Sequence, residues 1–423
     1  MEVAVIGAGY VGLVQAAGLA SLGHRVRVGE NNPEKVELLR AGTSPIYEPD
    51  LEAILGEGLA TGLLSFEASN QAVVGGAEVV FIAVPTPQGD NGAANMSIVS
   101  AVLDEIAVKL SESTLVVFKS TVPVGSVAKY QQYFDERNPG VTVLSNPEFL
   151  REGSAVSDFF HPDRIVIGTA NQRAAELMME LYRGLDAPVV VTDPISSEMV
   201  KYGSNAYLAT RITFANAMAN LAEAVGADVR DVLLGMGYDR RIGHHFLSPG
   251  PGFGGSCFPK DTRALVAIAE QADYDFALLK GVIEVNDEQR NHILRKVVRA
   301  VPAGIDGAIV GQWGLAFKAG TDDTRDSPAV ELAIDLTGLG ARVRAFDPRA
   351  SIDLDGVELV ADALEAAQGA DVLLIATEWS DFQAVDLRQV RDAMSGSVIV
   401  DARNILDPDA VRRLGMEYYG VGR

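Results

Sequence analysis

Residues 3–12 read VAVIGAGYVG, an apolar run followed by three glycines. Val3–Ile6 predicts a buried strand, and Gly7, Gly9 and Gly12 have GxGxxG spacing between that strand and a helix. In such a unit the first glycine makes a tight turn and the second lets backbone N–H groups approach a pyrophosphate. The third lets the helix pack closely on the strand. The sequence therefore begins with a predicted nucleotide-binding α/β unit.

Glu30 ends the next predicted strand, 23 positions after Gly7. A carboxylate at this position accepts hydrogen bonds from the ribose hydroxyls of adenosine and repels a 2′-phosphate. We therefore expect NAD as the cofactor in preference to NADP. FAD uses the same glycine fingerprint and is the weaker alternative cofactor. The remaining alternative is that the glycines form a structural turn that binds no ligand.

Composition excludes several classes of protein. Of the 423 residues, 48% are hydrophobic and 22% charged, which is typical of a folded chain and not of a disordered one. The 57 acidic residues outnumber the 35 basic ones, giving a net charge of -22. This balance argues against nucleic-acid and anionic-membrane partners. The amino terminus lacks the basic region of a signal peptide, and no apolar stretch is long enough to span a membrane.

Short apolar runs alternate with helical stretches at both ends of the chain. The expected fold is α/β, with two Rossmann-like doubly wound parallel-sheet domains joined by a long central helix. We predict an amino-terminal domain at 1–192, a central helical domain at 193–300 and a carboxyl-terminal domain at 301–423. The predicted strands are Val3–Ile6, Arg25–Gly29, Val79–Val84, Leu115–Ser120, Thr142–Ser145, Arg164–Gly168, Gly307–Val310, Arg342–Phe346, Val372–Ala376 and Val398–Val400.

The central helix is predicted from Asp193-Pro194 and the proline-free run Ser196–Val225. Apolar residues lie on nearly every side of this run, which predicts that the helix is buried all round. We expect it to cross between the two domains and to pack against a second subunit, giving a homodimer.

Cys257 is the only cysteine, so the chain has no internal disulfide. A lone cysteine fits a cytoplasmic protein and leaves too few ligands for a structural zinc site, so we expect no metal. The surrounding GFGGSCFPKD lets backbone approach a ligand closely and places the sulfur near the start of a helix, beside Lys260. Both features favour a reactive thiolate over a small buried apolar side chain.

Two further groups of polar residues suggest chemistry. Lys201 and Asn205 lie four residues apart and so share one face of the apolar helix. Two hydrogen-bond donors on one face could stabilise an oxyanion that forms during a reaction. The alternative is that both side chains lie in a solvent-exposed notch of the helix and have no catalytic role. Glu148 and Glu152 follow a strand at the edge where α/β folds bind ligands. From the residues alone, these carboxylates are either proton-transfer groups or loop charges.

Motifs along almost the whole chain resemble those of the nucleotide-sugar dehydrogenases, the UDP-glucose/GDP-mannose dehydrogenase family, and most of all its members that act on UDP-glucose. The resemblance is carried by GAGYVG at Gly7, VPTP at Val84, STVPVG at Ser120, NPEFLREG at Asn146, DFFHPDRIVIG at Asp158, the Lys201/Asn205 pair, GFGGSCFPKD at Gly252, GLAFKAGTDDTRDSPA at Gly314, ATEW at Ala376 and VDARN at Val400.

The resemblance implies an NAD-dependent four-electron oxidation of UDP-glucose to UDP-glucuronate. A thiolate captures the intermediate aldehyde as a thiohemiacetal, and the second oxidation gives a thioester that water releases. GDP-mannose and UDP-N-acetylhexosamines are the alternative substrates. Two hypotheses assign the chain a different function. In the first it is a two-electron dehydrogenase of the 3-hydroxyacid or 6-phosphogluconate type. In the second it is a non-catalytic module that binds NAD or a nucleotide sugar.

The same resemblance implies the site residues. Expected catalytic residues are Cys257, Lys201, Asn205, Asp261, Glu148 and Thr121. Expected NAD-binding residues are Gly9, Tyr10, Val11, Glu30, Lys35, Thr86, Thr121, Glu152 and Arg325. Expected substrate-binding residues are Phe149, Leu150, Arg151, Glu152, Lys201, Asn205, Phe246, Phe253, Gly254, Lys318 and Arg403, with Arg241 reaching the sugar nucleotide of a neighbouring subunit.

Overall fold

The predicted amino-terminal strand forms in the computed structural model, which describes residues 1–89 and 92–423. Within those residues the first sheet has eight strands in the order β3-β2-β1-β4-β5-β6-β7-β8. Neighbouring strands are parallel except β6 and β7, which pair antiparallel between Ser145 and Gly168. The α/β class is therefore confirmed, with one antiparallel pairing that the sequence did not predict. The strands are β1 Glu2–Ile6, β2 Arg25–Gly29, β3 Leu64–Glu67, β4 Val79–Ile82, β5 Leu115–Phe118, β6 Thr142–Ser145, β7 Ile165–Gly168 and β8 Val189–Thr192.

Helices on both faces cover this sheet, and local capping sets where several begin. The Asn32 side chain accepts the N–H of Lys35 at the start of α2, and the Asn171 side chain accepts the N–H of Ala174 at the start of α8. The helices are α1 Tyr10–Ser21, α2 Pro33–Arg40, α3 Leu51–Ala60, α4 Asn70–Val74, α5 Ser97–Ile106, α6 Ser126–Asp135, α7 Ala155–Phe160 and α8 Gln172–Leu181, with a 3₁₀ turn at Ala107–Lys109.

The predicted long helix is α9, Pro194–Val225. The side chain of Asp193 accepts the N–H of Ser196 at 2.9 Å and so caps its first turn. Its 32 residues rise over about 48 Å. The described residues form two compact units, Met1–Ser204 with Ala267–Tyr274 and Asn205–Val266 with Asp275–Arg423, so the boundary falls inside α9. The three-domain division at residues 193 and 301 stays a prediction.

The sequence predicted that α9 is buried all round, in part against a second subunit, and in the single chain one of its faces is exposed. Ile195, Met199, Tyr207, Phe214, Leu221 and Val225 are exposed in the single chain, with Val225 at 69%. Alanine occupies several of the buried positions, namely Ala206, Ala209, Ala215, Ala219 and Ala222. At these positions the short side chain lets other elements approach the helix axis closely.

The second unit contains a six-stranded sheet, again within the described residues. Its order is β11-β10-β9-β12-β13-β14, and every pairing is parallel. The strands are β9 Ile309–Trp313, β10 Arg342–Phe346, β11 Val357–Leu359, β12 Val372–Ile375, β13 Val398–Asp401 and β14 Glu417–Tyr419. The helices after α9 are α10 Val229–Gly237, α11 Phe258–Gln271, α12 Ala277–Arg299, α13 Pro328–Gly338, α14 Ala363–Ala367, α15 Ser380–Gln383, α16 Leu387–Ala393 and α17 Pro408–Arg413. None of the described helices is long and apolar enough to cross a membrane.

A partly buried carboxylate holds the carboxyl-terminal tail in this unit. Glu223 accepts hydrogen bonds from Lys296, from His292 at 3.1 Å and from the N–H of Gly422 at 2.7 Å. Burial by itself would raise the pKa of Glu223, but the hydrogen bonds from His292, Lys296 and Gly422 outweigh that effect and lower the pKa to about 2. The tail is therefore anchored by a charge-assisted cluster that contains none of the expected site residues.

Candidate active site

The glycine loop has the backbone geometry that the sequence predicted. Gly7 has φ of +99°, and its N–H donates to Gly29 O at 2.8 Å, which ties the loop to β2. A Cβ at Gly7 would lie 2.9 Å from Ala83 O, and one at Gly12 would lie 1.9 Å from Gly7 O. Among the described atoms, nothing lies within 4 Å of a Cβ built on Gly9. The loop is closed on its protein side and open above Gly9.

Glu30 directly follows β2 and faces this loop. Its carboxylate accepts the N–H of Ala8 at 3.3 Å and that of Asn32 at 3.0 Å, and lies 3.3 Å from Lys35 Nζ. The structure thus brings together the expected cofactor residues Glu30 and Lys35 beside the start of α1, where Gly9, Tyr10 and Val11 lie. A carboxylate, open backbone amides and a helix amino terminus fit the ribose and pyrophosphate of NAD.

Thr86 and Thr121 lie at the same edge of the sheet, after β4 and β5. The hydroxyl of Thr86 donates to the backbone oxygen of Thr121 at 2.9 Å. Nearby, the hydroxyl of Ser120 donates to Val84 O at 2.7 Å. These two hydrogen bonds join the VPTP and STVPVG segments, so the two expected threonines lie next to each other.

Glu148 and Lys201 form a buried ion pair. Lys201 Nζ donates to Glu148 Oε1 at 2.7 Å, and the N–H of Leu150 donates to Glu148 Oε2 at 2.6 Å. The ammonium lies 5.6 Å from the centre of the Phe149 ring, and the guanidinium of Arg164 lies 3.6 Å from it. Because both charges are withdrawn from water, removing one partner of such a pair costs about 3–5 kcal/mol.

Lys119 is a buried cation that sequence reasoning missed. It follows β5 directly, and its Nζ donates to Asn146 Oδ1 at 3.1 Å and to the Tyr182 hydroxyl at 3.3 Å. Burial lowers the pKa of Lys119 to about 7, with Glu148 opposing and Lys201 reinforcing the shift. The sequence did contain one sign of this buried cation, because Lys119 stands between a wholly apolar strand and the STVPVG segment.

The rest of the NPEFLREG segment is partly exposed. Arg151 binds Asp158 through its guanidinium, Nη2 to Oδ1 at 2.5 Å, and through its backbone N–H at 2.8 Å. The expected substrate ligand Arg151 is therefore held by an acidic neighbour in this structure. Burial raises the pKa of the Tyr10 hydroxyl, and the negative charge of Glu152 contributes to that rise.

Cys257 lies in the second unit, at the position before the first turn of α11. Its carbonyl accepts the N–H of Asp261 at 2.8 Å, and its Sγ lies 3.6 Å from the Ser256 hydroxyl. The residue is only partly buried. The sulfur therefore lies near a helix amino terminus, where the sequence placed it, and such a position favours the thiolate form of a cysteine.

Asp261, one turn into α11, binds the expected residue Asn205 and the neighbouring Lys260. Asn205 Nδ2 donates to Asp261 Oδ2 at 2.6 Å, and Lys260 Nζ donates to Asp261 Oδ1 at 2.5 Å. Asp261 is 1% exposed. The ammonium of Lys260 is thus paired with the neighbouring carboxylate.

The glycine-rich loop before Cys257 packs against the turn that carries Arg325. The N–H of Gly255 donates to Arg325 O at 3.1 Å, and a Cβ at Gly254 would lie 2.2 Å from Asp326 O. The N–H of Phe253 donates to Asn286 Oδ1 at 2.7 Å. Glycine at 254 is thus required by packing.

The expected basic residues of the second unit fall into two groups. Arg403 donates to Phe317 O at 2.6 Å and to Ala376 O at 3.0 Å, which places it beside the backbone that carries Lys318. Arg325 and Arg241 instead form exposed pairs with acidic residues two positions before them, at 2.7 and 2.6 Å. The side chain of Arg241 is 89% exposed, and Phe246 takes a left-handed conformation with φ of +59°. No group of three or more His, Cys, Asp or Glu side chains among residues 1–89 and 92–423 is arranged to hold a metal ion.

Comparison with protein-family models gives three matches in the order of the chain. The models describe the UDP-glucose/GDP-mannose dehydrogenase family: its NAD binding domain matches residues 1–186, its central domain residues 195–288 and its UDP binding domain residues 311–408. Together they cover most of the sequence, including both units.

Individual relatives match over the full length. The UDP-glucose 6-dehydrogenases of Bacillus subtilis and Rhizobium meliloti are each 44% identical over all of this chain, covering 98% and 100% of their own lengths. A solved UDP-glucose dehydrogenase from the archaeon Pyrobaculum islandicum has a TM-score of 0.92 and 41% identity, covering 99% of this chain and 97% of its own.

Proposed function

Because the chain belongs to the UDP-glucose/GDP-mannose dehydrogenase family, we propose that it oxidises UDP-glucose to UDP-glucuronate. The cofactor is NAD. The observation that carries the proposal is the placement of the lone cysteine. Cys257 lies at a helix amino terminus, next to the turn on which Asp261 binds Asn205. Full-length identity to UDP-glucose 6-dehydrogenases supports this substrate over GDP-mannose or a UDP-N-acetylhexosamine.

NAD, when bound, accepts a hydride in each of two oxidations. Glu30 and Lys35 would hold the adenosine ribose, and the amides of Gly9, Tyr10 and Val11 would meet the pyrophosphate. Thr86, Thr121, Glu152 and Arg325 are the further proposed cofactor ligands.

Cys257 captures the aldehyde that the first oxidation forms. Its thiolate bonds to the aldehyde carbon, the carbonyl oxygen takes up a proton, and a thiohemiacetal results. Loss of a hydride and a proton from that group leaves a thioester. Water then adds to the thioester carbon, the C–S bond breaks, and the carboxylate and the thiolate are released. Each sugar thus gives up two hydrides, one in each oxidation, and takes up one water.

The surrounding polar residues handle charge and protons. Lys201 and Asn205 donate to the oxygen that becomes negative during each addition. Asp261 holds Asn205 in place and orients water, as Asn205 Nδ2 already donates to it. Glu148 and Thr121 position water for proton transfer. The sugar nucleotide is bound by Phe149, Leu150, Arg151, Glu152, Lys201, Asn205, Phe246, Phe253, Gly254, Lys318 and Arg403.

The substrate proposal is tested by initial rates of NADH formation with UDP-glucose, GDP-mannose and UDP-N-acetylglucosamine at equal concentrations. We expect kcat/KM for UDP-glucose to exceed the other two by at least about 100-fold, because one extra or missing polar group in a fitted pocket has this effect. A higher kcat/KM for either alternative would move the assignment within the family. NAD binding without turnover of any of the three would favour a non-catalytic module.

We also propose that the chain is a homodimer through α9. The exposed apolar residues Met199, Tyr207, Phe214 and Leu221 follow one another along a single face of the helix. A stripe of this kind is stabilised when a second copy covers it. In such a dimer the exposed Arg241 would reach the partner's sugar nucleotide. The proposed compartment is the cytoplasm, since a single cysteine suits a reducing environment.

Phe214→Glu is expected to dissociate this dimer, because each interface would gain two buried, unpaired carboxylates. Light scattering coupled to gel filtration should report the monomer mass at micromolar concentration. Val108→Glu, which changes an apolar side chain that is 78% exposed, is the matched control and should remain dimeric. An unchanged mass for Phe214→Glu would place the interface elsewhere.

A further inference from the structure

Glu48 is a buried carboxylate outside the set of expected site residues. It lies in the loop between α2 and α3 and is 5% exposed. Its Oε1 accepts the N–H of Ala155 at 2.7 Å, and its Oε2 accepts the N–H of Gly153 at 2.7 Å. The hydroxyl of Tyr10 also donates to Oε2. Burying a carboxylate costs free energy, because the charge loses its contacts with water. The three hydrogen bonds to Glu48 offset part of that cost.

The partners of Glu48 belong to two functional segments of the first unit. Tyr10 is the first residue of α1 and directly follows Gly9 of the glycine loop. Gly153 directly follows residues 149–152, for which we propose sugar-nucleotide binding. We refer to residues 149–154 as the substrate-binding segment. The N–H of Gly153 also donates to the Tyr10 hydroxyl at 3.0 Å, so all three groups meet.

Every identified partner of the carboxylate is a hydrogen-bond donor. The ionised form of Glu48 satisfies the Tyr10 hydroxyl and both amides, whereas a protonated carboxyl would present a further hydrogen to these donors. Burial raises the pKa of Glu48, and the hydrogen bonds from Tyr10, Gly153 and Ala155 oppose that shift. The cluster is therefore sensitive to any change that places a donor at this position.

The two segments depend on the cluster to different extents. The glycine loop has separate anchors, since the N–H of Gly7 donates to Gly29 O and that of Ala8 to Glu30. In the other segment, the backbone bonds of Leu150 and Arg151 go to Glu148 and Asp158 and stay within residues 148–158. Loss of Glu48 should thus displace the segment 149–154 more than the glycine loop.

We propose that Glu48 is a positioning residue that, with Tyr10, holds the substrate-binding segment 149–154 against the cofactor's glycine loop. It acts by setting the distance between bound sugar and cofactor and does not itself contact the reacting atoms. This inference rests on the proposed function, in which residues 149–152 bind the sugar nucleotide.

Glu48→Gln tests this role because it keeps the size of the side chain but turns an amide NH₂ towards donors. We expect kcat/KM for UDP-glucose to fall at least about 10-fold, while the Kd of NADH, measured by fluorescence, changes less than about threefold. Tyr10→Phe should give a smaller loss in the same direction. The double variant should lose less than the product of the two single effects, because both changes act on one cluster.

Hydrogen exchange of the peptide covering 149–155 supplies a readout that needs no turnover. Its amides should exchange faster in Glu48→Gln than in the wild type. Glu223→Gln, which removes a partly buried, hydrogen-bonded carboxylate from the tail cluster, is the control. It should lower thermal stability and leave both the exchange of 149–155 and the KM for UDP-glucose unchanged.

Unchanged exchange of 149–155, or kcat/KM within twofold of the wild type in folded Glu48→Gln, would overturn the proposal. An equal loss of NADH affinity and of kcat/KM would also overturn it, since that pattern indicates general destabilisation. If wild-type protein forms no NADH from UDP-glucose, the proposed function fails, whereas the exchange experiment still decides whether Glu48 holds the segment.

Discussion

Cys257→Ala is expected to lower the rate of UDP-glucuronate formation by at least about 10³-fold, because no other thiol in the chain can form the covalent intermediates. The helix amino terminus that stabilises the thiolate is left intact by this change, since the carbonyl of residue 257 still accepts the N–H of Asp261. The folded structure should therefore survive. Product analysis by mass spectrometry, with rates taken from NADH absorbance, measures the effect.

Ser256→Ala is the matched control for Cys257→Ala. Its hydroxyl lies 3.6 Å from Cys257 Sγ, but we assign it no step. We expect its rate to stay within a few-fold of the wild type. UDP-glucuronate formation by Cys257→Ala at a comparable rate would remove the cysteine from the reaction.

Lys201→Met should have the second largest effect. Removing the donor to the oxyanion is expected to lower kcat by about 10²–10³-fold. It also leaves Glu148 buried without its cation, which should destabilise the fold by about 3–5 kcal/mol. Denaturant unfolding gives the stability, and steady-state kinetics under conditions where the variant is folded give kcat.

The double variant Lys201→Met, Glu148→Gln separates the two effects. Removing both charges of a buried pair is close to neutral for stability, so most of the loss of unfolding free energy should be recovered. The rate should stay low, because the donor is still absent. Recovery of both stability and kcat would mean that Lys201 serves only to balance Glu148.

Much of the fold could be predicted because its signals are local. The strand, GxGxxG turn and carboxylate at Glu30 occupy one short segment, and the Asp193-Pro194 start of α9 depends on adjacent residues. Strands β3, β8, β11 and β14 were missed. At β8, Val189, Val190 and Val191 are all exposed, so no alternation of buried and exposed side chains marks the strand.

The parts of the site that escaped prediction depend on contacts between distant residues. Lys119 and Glu48 are ordinary charges in the sequence, and their burial is created by partners such as Tyr182, 63 positions away from Lys119, and Ala155, 107 positions away from Glu48. The sequence could not show which face of α9 is left for a second subunit, because helical periodicity shows which residues are apolar but not which of them the chain itself covers.

The central claim is that one cysteine carries a four-electron oxidation. It is tested most directly by counting NADH formed per UDP-glucose when the sugar nucleotide is limiting and NAD is in excess. We predict two NADH for each UDP-glucose consumed, with UDP-glucuronate as the product. One NADH per UDP-glucose, with the aldehyde or another two-electron product, would contradict the account.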